Sequence, residues 1–261
     1  MRLLPSLFVA GCLATLAHAQ VGTDVASNYV SWTSGSNGGS GFNPWGFLVT
    51  TGTLDLADST AGAGNINTGG VSFRMAGGGS NSAEAARSFA GGVSLGTLAV
   101  FTFDLSVNFR NGNKGFDLRN GGDTVFNFNV GGDNYFFGGV DLGNQGWGYV
   151  SDGVYSFEFE ITSATTMRAA VTRTSVGTPS QDRFYEIASY NLTAPIDNFK
   201  FYINGTDAAP VPQNSLYFNN LTVVPEPTTV TLLSLGLVLT AVGFRRRVRR
   251  DRQSPFFESK S

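Results

Sequence analysis

Phe101-Thr102-Phe103-Asp104-Leu105-Ser106-Val107-Asn108-Phe109-Arg110 alternates apolar and polar side chains from end to end. Successive side chains of an extended strand point to opposite faces, so this period of two gathers the Phe, Leu and Val residues on one face and the polar residues on the other. A helix would scatter the same residues around its circumference. The same alternation recurs downstream. Phe126, Phe128 and Val130 alternate with Asn127 and Asn129; Tyr155, Phe157, Phe159 and Ile161 with Ser156, Glu158 and Glu160; Phe199, Phe201 and Ile203 with Asn198, Lys200 and Tyr202.

Turn signals separate these runs: Asn111-Gly112, Asn120-Gly121-Gly122-Asp123, Gly131-Gly132-Asp133-Asn134, Asp152-Gly153 and Asn204-Gly205. Asn and Gly tolerate the positive φ that tight hairpins need. About a dozen short strands with no amphipathic helix between them predict an all-β antiparallel sandwich. Residues 20–223 supply one domain of ordinary size, with 18 Phe between Gln20 and Val224 to fill its core.

Both ends of the chain read differently from this middle. Met1-Arg2, a mostly apolar stretch to Leu16, and Ala17-His18-Ala19 before Gln20 have the order of a secretory signal peptide, residues 1–19, cleaved after Ala19. A lipoprotein box at Val9-Ala10-Gly11-Cys12 competes with it, but would leave a signal of only eleven residues. At the other end, Val224-Pro225-Glu226-Pro227 precedes an uncharged stretch, residues 228–244, followed by Arg245, Arg246, Arg247, Arg249 and Arg250. Seventeen residues of helix span roughly 25 Å, the short end of a transmembrane segment, and an arginine cluster is retained on the cytoplasmic side. A single C-terminal transmembrane helix is expected at 228–244, with a basic stop at 245–250 and a cytoplasmic tail at 251–261.

This three-part end, residues 224–250, closely resembles the PEP-CTERM sorting signal of exported bacterial proteins. The resemblance implies an exosortase-type sorting enzyme as partner, which cuts near the motif and passes the protein from the membrane to the cell surface or exopolysaccharide matrix. The chain departs from the pattern in continuing eleven residues past the arginines.

Cys12 and His18 are the only cysteine and histidine. Signal-peptide removal therefore leaves a domain without disulfides, histidine bases, cysteine nucleophiles or Cys/His zinc sites. Between Gln20 and Val224 there are 16 acidic and 9 basic residues, a balance of −7, whereas residues 225–261 carry 3 and 7, a balance of +4. An acidic ectodomain is a poor match for the phosphate backbone, so no nucleic-acid partner is expected. The arginines read as topology and lipid-headgroup contact.

The stretch 101–223, with Gly115-Phe116-Asp117-Leu118-Arg119 and the closing Leu216-Tyr217-Phe218-Asn219-Asn220-Leu221-Thr222-Val223, resembles concanavalin-like jelly rolls of exported bacterial proteins. That fold hosts lectins, glycanases and inert spacers alike, so function turns on sites.

Three features are candidates. Glu158 and Glu160 lie two apart on a strand and share a face, as the paired carboxylates of a glycosidase would; a solvated strand face is the plainer reading, since alternation alone already puts acids at these positions. Gly121-Gly122-Asp123 and Gly131-Gly132-Asp133 repeat at ten residues, and Asp123 and Asp133 are calcium candidates whose spacing fits neither an EF-hand nor a β-roll; two hairpin turns explain them too. Trp147 and Tyr149, near Tyr135 and Tyr155, are candidates for stacking on sugar rings. The expectation is an exported, surface- or matrix-associated protein with a glycan-binding sandwich, no catalytic activity and no cofactor other than calcium. The alternatives are a polysaccharide hydrolase or lyase using Glu158 or Glu160, and a ligand-free structural spacer.

Overall fold

The computed structural model describes residues 21–49, 51–77, 82–110, 112–204 and 214–224. In chain order the strands are β1 (Gly22–Asp24), β2 (Gly46–Val49), β3 (Thr53–Ala57), β4 (Ser72–Ala76), β5 (Ser82–Ser88), β6 (Val100–Val107), β7 (Asn113–Asn120) and β8 (Asp123–Gly131). They continue as β9 (Asn134–Phe137), β10 (Val140–Asp141), β11 (Gly153–Ser163), β12 (Thr166–Ser175), β13 (Arg183–Asn191), β14 (Asn198–Asn204) and β15 (Ser215–Val224). Only short 3₁₀ turns interrupt them among the described residues.

The strands form two antiparallel sheets. The first has the order β13-β12-β11-β6-β15-β4-β3, with β1 also pairing to β15; the second has the order β10-β9-β8-β7-β14-β5-β2. The chain passes between the sheets repeatedly, so β6 and β15 are neighbours although more than a hundred residues separate them. The alternating runs supply the contact between layers. Phe201 of β14 stacks on Phe218 of β15 with ring centroids 3.7 Å apart, while Phe116 of β7 meets Phe103 of β6 and Phe157 of β11 edge-on, each at 4.8 Å. Burying each such ring contributes about 1.5–3 kcal/mol, and the edge-on geometry about 0.5–1.5 kcal/mol more.

Alternation also sends some charged groups inward. Lys114 has the parity of Phe116 and Leu118 and is buried, with its ammonium 2.7 Å from Asn214 Oδ1. Arg173 is buried as well, donating to the carbonyls of Gly148 and Gln181 at 2.7–3.1 Å with its guanidinium 4.9 Å from the Trp147 ring.

The two ends of the domain meet. Gly22, Thr23 and Asp24 lie opposite Val223, Thr222 and Leu221. The described residues all belong to one compact unit. The expected signal peptide at 1–19, with Ala17, Ala19 and Gln20 at its cleavage point, lies outside the described residues. So do Pro225, Glu226 and Pro227, the expected span at 228–244, and the arginines and tail that follow. Among the described residues no helix is long and apolar enough to cross a membrane.

Candidate functional site

Polar residues of the alternating strands are left on the outer faces of both sheets. On the first sheet the register lines them up in rows across the strands. Asp104 of β6 faces Ser156 of β11, which faces Thr172 of β12, which faces Phe184 of β13. In the adjacent row Thr102, Glu158, Ala170 and Glu186 follow one another in the same way. With strands about 4.8 Å apart, each row is roughly 15 Å long.

A groove of about 440 Å³ lies over these rows. At one end is Phe184, a residue 61% exposed. At the other, Asp104 accepts from Ser156 Oγ at 2.6 Å and from Asn220 Nδ2 at 2.8 Å. Asn220 reaches the groove because β15 bulges between Asn219 and Thr222. The bulge holds Asn220 at φ +57°, a left-handed conformation that asparagine tolerates, and puts successive side chains to different uses. Asn219 turns inward to accept from Ala26 N and donate to Ile66 O, while Asn220 turns outward.

Arg168 of β12 closes one side of the groove. Its guanidinium is bonded to Glu158, to Glu160 at 3.0 Å and to Glu186 at 3.1 Å. The hydrogen bond to Glu160, with the others beside it, holds this guanidinium even more firmly protonated than usual, against the opposing effect of partial burial. The structure therefore brings Glu158 and Glu160 together on one face, as their spacing predicts, and sets a shared cation between them.

The other predicted residues fall elsewhere. Trp147 is only 2% exposed: it stacks on Tyr155 at 6.4 Å and covers Arg173, so neither face is open to a sugar. This corrects its reading as a stacking platform, and the physical reason is that the buried guanidinium needs an aromatic lid. Tyr149 is 46% exposed, but its hydroxyl is bonded to Asn108 Oδ1 at 2.6 Å and Arg110 lies 5.5 Å from its ring. Asp123 and Asp133 flank β8 at opposite ends, both exposed, so they cannot converge on one calcium ion. Asp133 sits at φ +62° in the β8–β9 hairpin, the turn use of such a residue. Among the described residues no group of three or more Asp, Glu, His or Cys is placed to hold a metal.

Phe184 is the groove residue that aromatic spacing misses, because Tyr185 beside it is also aromatic. Its signal is parity: it shares a face with Glu186, an apolar ring on the polar side of its strand.

The last described residue, Val224, ends β15 and leads into Pro225-Glu226-Pro227, the apolar run and the arginines. Residues 223–247 match the PEP-CTERM protein-sorting motif. The PEP-CTERM motif marks the chain for export and membrane-anchored sorting, and it implies processing by an exosortase, a membrane enzyme. No curated protein matches the chain in sequence.

Among solved structures, a protein of unknown function from Shewanella oneidensis MR-1 is 12% identical with a TM-score of 0.41, covering 80% of this chain and 87% of that one. The PL-14 alginate lyase of Aplysia kurodai is 10% identical with a TM-score of 0.40, covering 68% and 90%. The binding domain of botulinum neurotoxin serotype D is 9% identical with a TM-score of 0.38, covering 70% of this chain and 44% of that one, so this chain spans less than half of the toxin domain. These neighbours are β-sandwich, jelly-roll-like domains.

Proposed function

We propose that this chain is an exported, non-catalytic protein of the cell surface or exopolysaccharide matrix, and that its domain, a concanavalin-like jelly roll, binds a neutral glycan in the Phe184 groove. The observation that carries this reading is the pairing of an exposed ring with groups that bond hydroxyls. Phe184 offers an apolar face to the C–H side of a sugar, and Asp104, Ser156 and Asn220 offer donors and acceptors across the same groove. The ligand is uncharged or cationic because Asp104, Glu158, Glu160 and Glu186 outnumber Arg168, and like charges brought together are unfavourable.

A non-catalytic role is supported by Arg168. Glycoside hydrolysis asks one carboxyl to donate a proton and the other to attack or to activate water. Glu158 and Glu160 instead aim their oxygens at one guanidinium. The signal peptide at 1–19, the membrane helix at 228–244 and release by an exosortase near Pro227 complete the reading.

Calorimetric titration with neutral hexasaccharides of glucan, mannan and N-acetylglucosamine type tests it. Binding that weakens at least tenfold in Phe184→Ala, with no shortened product by mass spectrometry, is the expected result. Cleaved product that disappears in Glu158→Gln would replace it with a hydrolase. Intact mass of the protein from membrane and secreted fractions tests the sorting: a secreted form running from Gln20 to near Pro227 is expected, and a membrane-bound form retaining Ser261 would end that part of the reading.

A further inference from the structure

The outer face of the second sheet carries another groove, of about 400 Å³, built from different chemistry. Here too the register sets out rows. Leu48 of β2, Glu84 of β5, Tyr202 of β14, Gly115 of β7 and Asn129 of β8 face one another in turn, and beside them run Ala86, Lys200, Asp117 and Asn127.

Gly115 is buried in its row, and the Tyr202 hydroxyl lies 3.3 Å from the Phe128 carbonyl oxygen on the neighbouring strand. A Cβ at this position would lie 1.9 Å from that carbonyl oxygen, so any other residue has to push backbone aside. Polar groups line the groove. Lys200 Nζ is 2.7 Å from Glu84 and 3.6 Å from Asp117. Asn127 Nδ2 donates to Asp117 at 2.7 Å and to the Tyr202 hydroxyl at 2.9 Å, and that hydroxyl donates to Asn129 Oδ1 at 3.3 Å. Burial pushes the Tyr202 phenol well up, so it keeps its proton and remains a donor.

We infer that this groove is a second saccharide site, and that the domain is bivalent, holding one glycan chain on each outer face. Amides, a hydroxyl and an ammonium set close together present interleaved donors and acceptors, the complement of a run of sugar hydroxyls that both donate and accept. Glu84 and Asp117 outnumber Lys200, which again disfavours an anionic ligand. Exposed Leu48 at the rim gives an apolar contact for the ring face. The two grooves lie on opposite sides of a sandwich whose sheets alone are about 10 Å apart, so no single sugar reaches both. A protein gripping two chains at once gains avidity and joins them.

The inference takes its ligand class from the glycan reading of the Phe184 groove, and the test separates the two. The full chain in detergent micelles is titrated with the same neutral hexasaccharides, alongside Phe184→Ala, Asn129→Ala and the double variant. Leu48→Lys, a rim change on an exposed side chain, stands in should Asn129→Ala unfold. Two sites per chain are expected, one in each single variant and none in the double, and only the unaltered protein should make a long neutral polysaccharide turbid. One site, abolished by Phe184→Ala and untouched by Asn129→Ala and Leu48→Lys, would overturn the second groove and leave the first reading standing. One site lost only in the second-groove variants would overturn bivalence and move the glycan reading to the other face. No binding at all would overturn both.

Discussion

Arg87 of β5 and Asp24 of β1 form an ion pair in which neither side chain is exposed, and it joins the two sheets. Tyr29 donates to the same carboxylate at 2.8 Å, Trp45 Nε1 donates to the Tyr29 hydroxyl at 3.3 Å, and Arg87 packs over the rings of Phe42 and Trp45 at 5.0 and 5.1 Å. Removing one member of a buried pair strands the other in a dry site, which costs about 3–5 kcal/mol. Arg87→Met should lower the unfolding free energy by about that much in urea denaturation; a loss under about 1 kcal/mol would mean that water reaches Asp24.

The same pair sets a pH dependence of unusual sign. Burial raises the Asp24 carboxyl above its ordinary value of 3.8, more than the Arg87 charge and the hydrogen bonds lower it, and Asp24 Oδ1 is left without a partner. The folded state therefore binds this proton more tightly than the unfolded chain. Its contribution to stability is full below pH 3.8 and is lost as pH rises through the raised folded value. Stability of the unaltered protein minus that of Asp24→Asn should fall across this window in urea titrations, and a difference that climbs would show that Arg87's attraction governs instead.

Trp147 and Phe184 should separate cleanly. Trp147→Ala empties a core position between Tyr155 and Arg173 and should cost about 3–5 kcal/mol. Phe184→Ala removes an exposed ring and should change stability by no more than about 0.5 kcal/mol. Thermal melts of the two variants, set beside their glycan titrations, check both halves.

Gly115→Ala tests the close approach of β7 to β8 beside the second groove. The added methyl meets backbone, which cannot swing aside as a side chain can, so β7 and β8 must shift at a cost of about 1–3 kcal/mol. Urea denaturation measures the loss, and an unchanged midpoint would mean that the hairpin yields freely.

The strands around Phe103, Phe128, Phe157 and Phe201 were readable because each keeps one parity dry, and the structure buries those rings. Parity failed where the chain does not alternate. Trp147 follows a 3₁₀ turn and Gly146 in the left-handed region, so no strand period told its inside from its outside. At Arg173 two local rules conflicted: its parity with Val171 pointed inward and its charge pointed outward, and the carbonyls of Gly148 and Gln181 decided it. The row from Asp104 to Phe184 crosses four strands, and its assembly depends on register between segments eighty residues apart, which no local pattern encodes.

The laying of β1 along the end of β15 gives the domain a mechanical property. A pull on the chain at Val224, directed along the strand, is resisted by ladder bonds to β6 over most of β15, to β4 over residues 215–218 and to β1 over 221–223. Antiparallel ladder bonds stand perpendicular to the strands, so such a pull loads them together in shear instead of peeling them one at a time. A domain suspended by this end would resist tension best where the tension enters.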